Sequence, residues 1–493
     1  MIHKYQTPDF ARDRPRTRIV ATIGPATGTV DRIKALIRAG MSVARLNLAH
    51  GTMDQHRGYL RAVRQAATEL NVAIGVLVDL PGPKYRTGTA PGQGIRLARG
   101  AKFTLASSDV PATLDRISVM PPGLHRDVRR GSQLLIDDGA IQMRVVEVAG
   151  TDVRCVVTVA GLLKTRKGVA TPRRVNTLGY LTVETRAALD FVGKEDVDFV
   201  GLSYIRSEDD ILLVRGELKK AGRIPQLIAK IELGQAVKNL NAIMRVVDGV
   251  MVARGDLGVE LPIQLVPHAQ KEIILAANRA GKVVITATQM LESMADAPTP
   301  TRAEATDVHN AVLDGSDAVM LSRETSTGKY PVQAVRYMAR IARQAEKSMN
   351  FEALQRRRYD ALLSEKRAAV DDAIAYSACQ AAVTLHARVI VAFTESGSTA
   401  ARVASFRPPV PVLALVRDPE AGQKLALRWG VLPIQAPKLL DIASMFYEGS
   451  QAALTTGHAA EGDLAVAVMG VPIGVPGNTN LLRVMYLPEP KPT

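Results

Sequence analysis

Lys230 and Glu232 stand two residues apart at the end of one apolar run, and Arg254-Gly255-Asp256 closes the next. Both fall in the segment 225–262, which reads as strand, helix, strand. An apolar strand covers 225–231, a helical pattern carries Val237, Leu240 and Met244, and a second strand spans Gly249–Ala253. Side chains alternate along a strand, so Lys230 and Glu232 leave it on the same face. A cation and a carboxylate at one strand end, with a Gly-Asp turn at the next, make a site for a phosphate and a divalent metal. Carboxylate oxygens suit a hard ion such as Mg²⁺, and a lysine ammonium is a point charge for a moving phosphoryl group. Alone, the fragment is equally described by a buried Lys230–Glu232 ion pair and a surface turn at Asp256. The elements around it must decide.

Those elements alternate. Apolar, β-branched runs at 18–23, 42–48, 72–78, 198–203, 227–231, 250–253, 283–286 and 318–321 read as strands, with helical pattern or helix-start signals after them. Polar residues recur where these strands end: Arg45, Asn47, Asp79, Ser203, Lys230, Glu232, Asp256 and Thr288. Eight βα units with chemistry gathered at that end predict a (β/α)₈ barrel. A doubly wound sheet is the competing layout, but its glycine-rich dinucleotide turn is missing. From about 87 to 172 the rhythm breaks into Gly-rich turns and short β-branched runs, an all-β insertion after the third strand. A helical connector over 332–367 leads to a C-terminal α/β block with strands at 389–393 and 412–415. The expected division is an arm at 1–17, the barrel at 18–86 and 173–345, the inserted domain at 87–172 and the C-terminal domain at 346–493.

Composition narrows the function classes. No apolar run of the 493 residues approaches the ~20 that a membrane helix needs. The N-terminal stretch lacks an apolar leader core, and the two cysteines, Cys155 and Cys379, have no metal-ligand spacing. A reducing cytoplasm is expected, with no membrane partner. The formal charge of +15 could advertise nucleic acid, but aromatics are only 4% and the basic residues are scattered, which argues against that partner. In the C-terminal block, Thr394-Glu395-Ser396-Gly397-Ser398-Thr399 lies between a strand and a helix. It reads either as a phosphate cradle of backbone N–H groups and hydroxyls or as a plain helix cap.

Eight stretches together resemble pyruvate kinase from Thr17 to about Leu487: ATIGPAT (21–27), NLAHGT (47–52), GPKYRTG (82–88), IAKIE (228–232), VMVARGDLGVE (250–260), ATQMLESM (287–294), PTRAEATDV (300–308) and MLSRETSTGKYP (320–331). The resemblance implies a TIM barrel carrying an inserted β-barrel lid and a C-terminal α/β domain for regulation and assembly, usually in a homotetramer. It implies phosphoryl transfer from phosphoenolpyruvate to ADP, giving pyruvate and ATP. Glu232 and Asp256 would hold Mg²⁺ or Mn²⁺, Lys230 would neutralise the phosphoryl group in flight, and Arg45 would clamp the phosphate. The Gly255 and Asp256 backbone N–H groups would take the substrate carboxylate. Thr288 would help deliver a proton to the enolate through water, since a threonine hydroxyl is a poor acid by itself. Asn47, His50, Arg86 and, from the lid, Lys167 would contact the nucleotide.

The departures from the family pattern are informative. N-F-S-H-G becomes Asn47-Leu48-Ala49-His50-Gly51, and D-T-K-G-P-E becomes Asp79-Leu80-Pro81-Gly82-Pro83-Lys84. In members that need K⁺, the serine and threonine supply oxygens to that ion beside an anionic glutamate. Here Ala49 and Leu80 remove both hydroxyls and Lys84 brings an ammonium, so a K⁺ site built from Asn47 and Asp79 is electrostatically disfavoured. The pattern implies that Lys84 stands in for K⁺, which is then not required. Arg323 replaces a usual glycine, His309 replaces a small residue, and the usual N-L-P-G after Val169 becomes Ala-Thr-Pro-Arg. The effector pattern is less distinctive: Thr394, Ser396, Gly397, Ser398 and Thr399 are the candidates for holding a phosphorylated effector. A metal-dependent lyase of the phosphoenolpyruvate-binding barrels would not explain the lid lysine or the nucleotide contacts. A basic RNA-binding scaffold would not explain the intact Arg45, Lys230, Glu232, Asp256 and Thr288 set.

Overall fold

The computed structural model describes residues 8–172, 177–438, 441–473, 475 and 477–491. Residues 1–7 of the expected arm and Arg173 of the altered Ala-Thr-Pro-Arg stretch lie outside this set. Eight parallel strands close into a barrel: β1 (Arg18–Thr22), β2 (Val43–Asn47), β3 (Gly75–Leu80), β4 (Phe199–Leu202), β5 (Gln226–Ile231), β6 (Gly249–Ala253), β7 (Val283–Ala287) and β8 (Ala318–Leu321). Each pairs with its neighbours in chain order, and β8 pairs back onto β1.

Alternation along these strands sorts the side chains into two cores. Outward positions such as Ile19, Ala44, Val76, Val200, Ala229, Val252 and Val319 pack against the surrounding helices. Inward positions Val20, Val43, Leu77, Phe199, Ile228, Met251, Ile285 and Met320 fill the barrel with an apolar layer. Ala426 and Leu427, from the C-terminal part of the chain, complete that inner cluster. The helices are well started by local chemistry. Thr52 with Gln55 and Thr301 with Glu304 form reciprocal capping boxes at Met53–Glu69 and Arg302–Leu313.

The insertion forms a closed seven-stranded barrel of Tyr85–Thr87, Lys102–Ala106, Arg116–Met120, Gln133–Ile136, Ile141–Ala149, Asp152–Val159 and Gly168–Ala170. The C-terminal block is a five-stranded sheet in the order Val431–Gln435, Val412–Val416, Val389–Phe393, Leu464–Met469, Leu481–Tyr486, the last strand antiparallel. Separate apolar clusters pack on its two faces.

Local expectations shift in four places. The third strand starts later than 72–78, so Asp79 lies within it. Arg254-Gly255-Asp256 is the first turn of a helix, Arg254–Glu260, and not a surface turn. The helical segment after Glu232 is two short helices that meet at Asn239, whose side-chain amide donates to the Arg206 carbonyl at 2.9 Å. The long connector is two helices, Pro331–Lys347 and Phe351–Ser364, the second capped by Asn350.

Leu427 is fully buried in the inner barrel cluster although it comes from the C-terminal part of the chain. Leu427→Ala is expected to destabilise the protein by about 2–5 kcal/mol in denaturant titrations, as buried leucine truncations do.

Candidate active site

The alternation that fills the barrel with apolar side chains places charge directly above them. On β2 the inward residues are Val43 and then Arg45; on β3, Leu77 and then Asp79; on β5, Ile228, Lys230 and, one step past the strand, Glu232. These four charged residues are buried together. Asp79 Oδ2 accepts from Arg45 Nη2 at 2.7 Å and Nε at 3.1 Å, and lies 3.2 Å from Lys230 Nζ. Lys230 Nζ also stands 2.8 Å from Glu232 Oε1 and donates to Ser203 Oγ at 2.9 Å. Arg45 Nη1 donates to Thr22 Oγ1 at 3.0 Å. Gly201, opposite Asp79 on β4, leaves the room: a Cβ there would lie 2.2 Å from Asp79 Oδ1.

Two cations and two carboxylates balance, and their protonation follows. Burial alone would raise Asp79, but Arg45 and Lys230 overcome it and bring the carboxyl down to about 2. Burial works against a charged Lys230, yet Asp79 and Glu232 raise it above the usual lysine range, so it stays an ammonium. Glu232 is pushed up by burial and then by Asp256, against the pull of Lys230. Asp256 goes the other way. Burial would raise it, but Lys84, Lys230 and the Tyr204 phenol bring it below the usual carboxylate range.

The rim comes from the ends of β6 and β7. Thr288 and Gln289 adopt left-handed backbone conformations, with φ of 64° and 53°. A β-branched residue is rarely held there without support. Arg254 provides it, donating to the Thr288 carbonyl at 2.7 Å and the Gln289 carbonyl at 2.9 Å while paired to Asp307. Thr288 Oγ1 accepts the Gly255 N–H at 2.8 Å and donates to the Ala287 carbonyl at 2.6 Å. The Gly255 N–H expected to face a carboxylate is therefore bonded to the Thr288 hydroxyl.

Lys84 leads into the inserted barrel and reaches down to the site. Its ammonium lies 3.3 Å from Asp256 Oδ1 and 3.7 Å from Asp138 Oδ1 of the lid. It passes over Gly168, where a Cβ would meet Lys84 Cε at 2.6 Å. Its acidic partners are thus Asp256 and Asp138, and the expected grouping with Asn47 and Asp79 does not form among the described contacts. Lys167 pairs with Asp137 at 2.8 Å, one residue before Asp138, and Arg86 lies exposed beside it, bonded to the Arg166 carbonyl. Asn47 Oδ1 accepts the Ala49 N–H at 3.3 Å. His50 lies at the same loop with its ring partly solvent-exposed; its partial desolvation, then Arg86 and Arg45, hold its imidazole below the usual range. Arg323 pairs with Asp296 and Glu292, and His309 is half-buried in the helix Arg302–Leu313; neither joins the charged set.

In the C-terminal block, Thr394, Ser396, Ser398 and Thr399 line a cavity of about 410 Å³ with Arg417 and Lys438. Gly397, at φ 88°, is the cap residue of the helix Ser398–Ser405, a conformation a side chain would strain. Among the described residues Thr394 Oγ1 is buried without a partner, and Thr399 Oγ1 bonds Thr479 Oγ1 at 2.9 Å. Two site features went unread in the sequence. One is the left-handed pair at 288–289 with its Arg254 clamp; the other is Tyr204, one residue past the polar strand-end Ser203.

The donor set suits a divalent metal. Glu232 Oε1 is buried beside the Lys230 ammonium, 2.8 Å away. Asp256 takes its contacts at Oδ1, leaving Oδ2. Among the described residues no group of three or more His, Cys, Asp and Glu could hold an ion. Two carboxylates are oxygen donors of the kind Mg²⁺ prefers, with water and substrate oxygens supplying the remaining ligands.

A closed eight-stranded parallel barrel thus carries a buried ammonium among carboxylates at its C-terminal end, a site suited to a phosphorylated substrate. Comparison with known proteins makes this particular. Residues 14–335 match the model for the pyruvate kinase barrel domain, and 372–485 match that for the pyruvate kinase alpha/beta domain. The chain is 40% identical to the pyruvate kinase of Clostridium acetobutylicum over 96% of this chain and 99% of that protein. It is 42% identical to that of Corynebacterium efficiens over 96% and 98%. A crystal structure of a pyruvate kinase from Cryptosporidium parvum superposes with a TM-score of 0.91 at 35% identity, covering 98% of both chains. The chain belongs to the pyruvate kinase family, whose members transfer the phosphoryl group of phosphoenolpyruvate to ADP and generally use Mg²⁺. No helix among the described residues is long and apolar enough to cross a membrane.

Because Asp79 titrates near 2 in the fold against 3.8 ordinarily, its contribution is present above about pH 4 and lost as pH falls towards 2. The stability gap between wild type and Asp79→Asn is expected to narrow by about 2 kcal/mol between pH 5 and pH 2. Denaturant midpoints across that range measure it.

Proposed function

We propose that this chain makes pyruvate and ATP from phosphoenolpyruvate and ADP without requiring K⁺, with the charged layer of the barrel as its reaction centre. The observation that carries the reading is the Lys230 ammonium, kept charged and buried between Asp79 and Glu232. As the ADP β-phosphate oxygen attacks, the bond from phosphorus to the enol oxygen breaks, and negative charge spreads over the equatorial phosphoryl oxygens. Lys230 neutralises that charge, and Arg45, oriented by Asp79, clamps the phosphate. Glu232 and Asp256 would hold Mg²⁺ or Mn²⁺, which would supply positive charge to the substrate. The substrate carboxylate sits at the Gly255 and Asp256 backbone, displacing the Thr288 hydroxyl from Gly255. The enolate left behind takes a proton at its methylene carbon, relayed through water from the Thr288 hydroxyl.

Asn47 and His50 from the barrel, with Arg86 and Lys167 from the inserted domain, bind the nucleotide. Burial and neighbouring arginines keep His50 neutral, so it can accept a hydrogen bond without adding repulsion. Lys84 supplies the monovalent charge beside Asp256, in the role a K⁺ ion plays elsewhere in the family. Its support is the loss of two candidate hydroxyl ligands at Ala49 and Leu80 together with an ammonium already 3.3 Å from Asp256 Oδ1.

The chain divides into arm, barrel, lid and C-terminal domain, with the lid opening at the strand Tyr85–Thr87 and not at residue 87. The chain works in the cytoplasm as a homotetramer. The cavity at Thr394, Ser396, Gly397, Ser398 and Thr399 takes a phosphorylated effector; Arg417 and Lys438 on its walls favour an anion.

Turnover with Mg²⁺ is expected to be full in buffer free of K⁺ and Na⁺ and unchanged by added K⁺. Lys84→Met is expected to lower kcat about 100-fold, with little recovery in K⁺ because the hydroxyl ligands are absent. A wild type active only with K⁺ would sink the Lys84 assignment and keep the reaction.

A further inference from the structure

Tyr204 stands two residues past the end of β4 and touches Glu232, Asp256 and Lys84 at the mouth of the site. Its backbone N–H donates to Glu232 Oε2 at 2.7 Å, and its phenol donates to Asp256 Oδ1 at 2.7 Å. The Lys84 ammonium lies 5.0 Å from its ring centroid, within cation–π range. The residue adopts φ of 57°, unusual for a bulky side chain. Gly82 packs against this turn so tightly that a Cβ there would lie 2.3 Å from the Ser203 carbonyl oxygen and 3.0 Å from Tyr204 Cβ.

The two carboxylates come from different elements. Glu232 follows β5, whereas Asp256 lies in the first turn of the helix after β6. Nothing covalent sets their separation. Tyr204 bonds both at once, through its backbone N–H and its phenol. Each bond also occupies one carboxylate oxygen; Asp256 Oδ2 is left to face a ligand, while Glu232 Oε1 rests 2.8 Å from the Lys230 ammonium. A phenol at neutral pH acts on a carboxylate only as a donor, so the contact orients Asp256 without competing for a metal.

We propose that Tyr204 is a positioning residue that fixes the spacing and orientation of Glu232 and Asp256 for the divalent ion, and seats Lys84 beside Asp256. This rests on the reading that those two carboxylates hold the metal. It makes the Tyr204 hydroxyl a determinant of metal affinity and not merely of folding.

The test is Mn²⁺ binding followed by electron paramagnetic resonance, without phosphoenolpyruvate, ADP or K⁺. Tyr204→Phe keeps the ring over Lys84 and the N–H on Glu232 and loses only the phenol oxygen. It is expected to bind Mn²⁺ about 10-fold more weakly, with an unchanged metal-free melting temperature. The Mg²⁺ concentration for half-maximal turnover should rise by a similar factor. Tyr204→Leu, lacking the ring as well, should lose at least as much. Tyr180→Phe loses a buried hydroxyl that donates to the Ser203 carbonyl at 3.0 Å and should leave Mn²⁺ affinity unchanged. Wild-type affinity in both Tyr204 variants would overturn the inference alone. A wild type that binds no Mn²⁺ would overturn it together with the Glu232–Asp256 assignment.

Discussion

The constraint on which the site depends is charge balance inside a barrel. Two cations, Arg45 and Lys230, converge on one oxygen of Asp79, and Lys230 leans on Glu232 as well. Either cation alone in that interior would pay a desolvation cost of several kcal/mol with nothing to offset it. Paired, they remain charged, in place and free of bulk water, which is the state in which a lysine best stabilises a transferring phosphoryl group. The arrangement follows from alternation: the strand positions that put Val43, Leu77 and Ile228 into the apolar layer put Arg45, Asp79 and Lys230 one step higher. Gly201 completes it by having no side chain where Asp79 needs space.

Above this fixed layer the structure is built from bonds between elements that could otherwise move apart. Arg254 holds the left-handed Thr288–Gln289 turn, and Tyr204 ties Glu232 to Asp256. Lys84 is the one cation that touches barrel and lid carboxylates together among the described residues, through Asp256 and Asp138. Lys167, paired with the adjacent Asp137, makes the lid turn 137–138 the meeting point of both lysines. An ammonium at that junction links the charge of Asp256 to the position of the lid turn.

Much of this was legible in the sequence because it rests on period and position. Strand runs ending in polar residues predicted the barrel, and the Lys230–Glu232 spacing predicted a shared face. Lys84 stood out as an added cation near the strand ends, and its ammonium lies 3.3 Å from Asp256 Oδ1. What was not legible depends on three-dimensional partners. Asp79 reads as one more strand-end acid suited to a cation site, yet its partners are Arg45 and Lys230, from strands far apart in sequence. Arg254-Gly255-Asp256 has the look of a turn, and only tertiary bonds to Thr288 and Asp307 make it the start of a helix. Tyr204 gives no sign of its role, because both of its bonds require a backbone conformation that Gly82 permits from another strand end.

The central claim is that Asp79 and Lys230 act as one charge-balanced unit. It is tested most directly by a double-mutant cycle with Asp79→Asn, Lys230→Met and the double variant, each measured by denaturant unfolding at pH 7. The account predicts that each single change is strongly destabilising and that the double variant falls about 1–3 kcal/mol short of their sum, since removing both charges leaves less unpaired than removing one. Strict additivity would mean that the two residues are independent neighbours and would contradict the account.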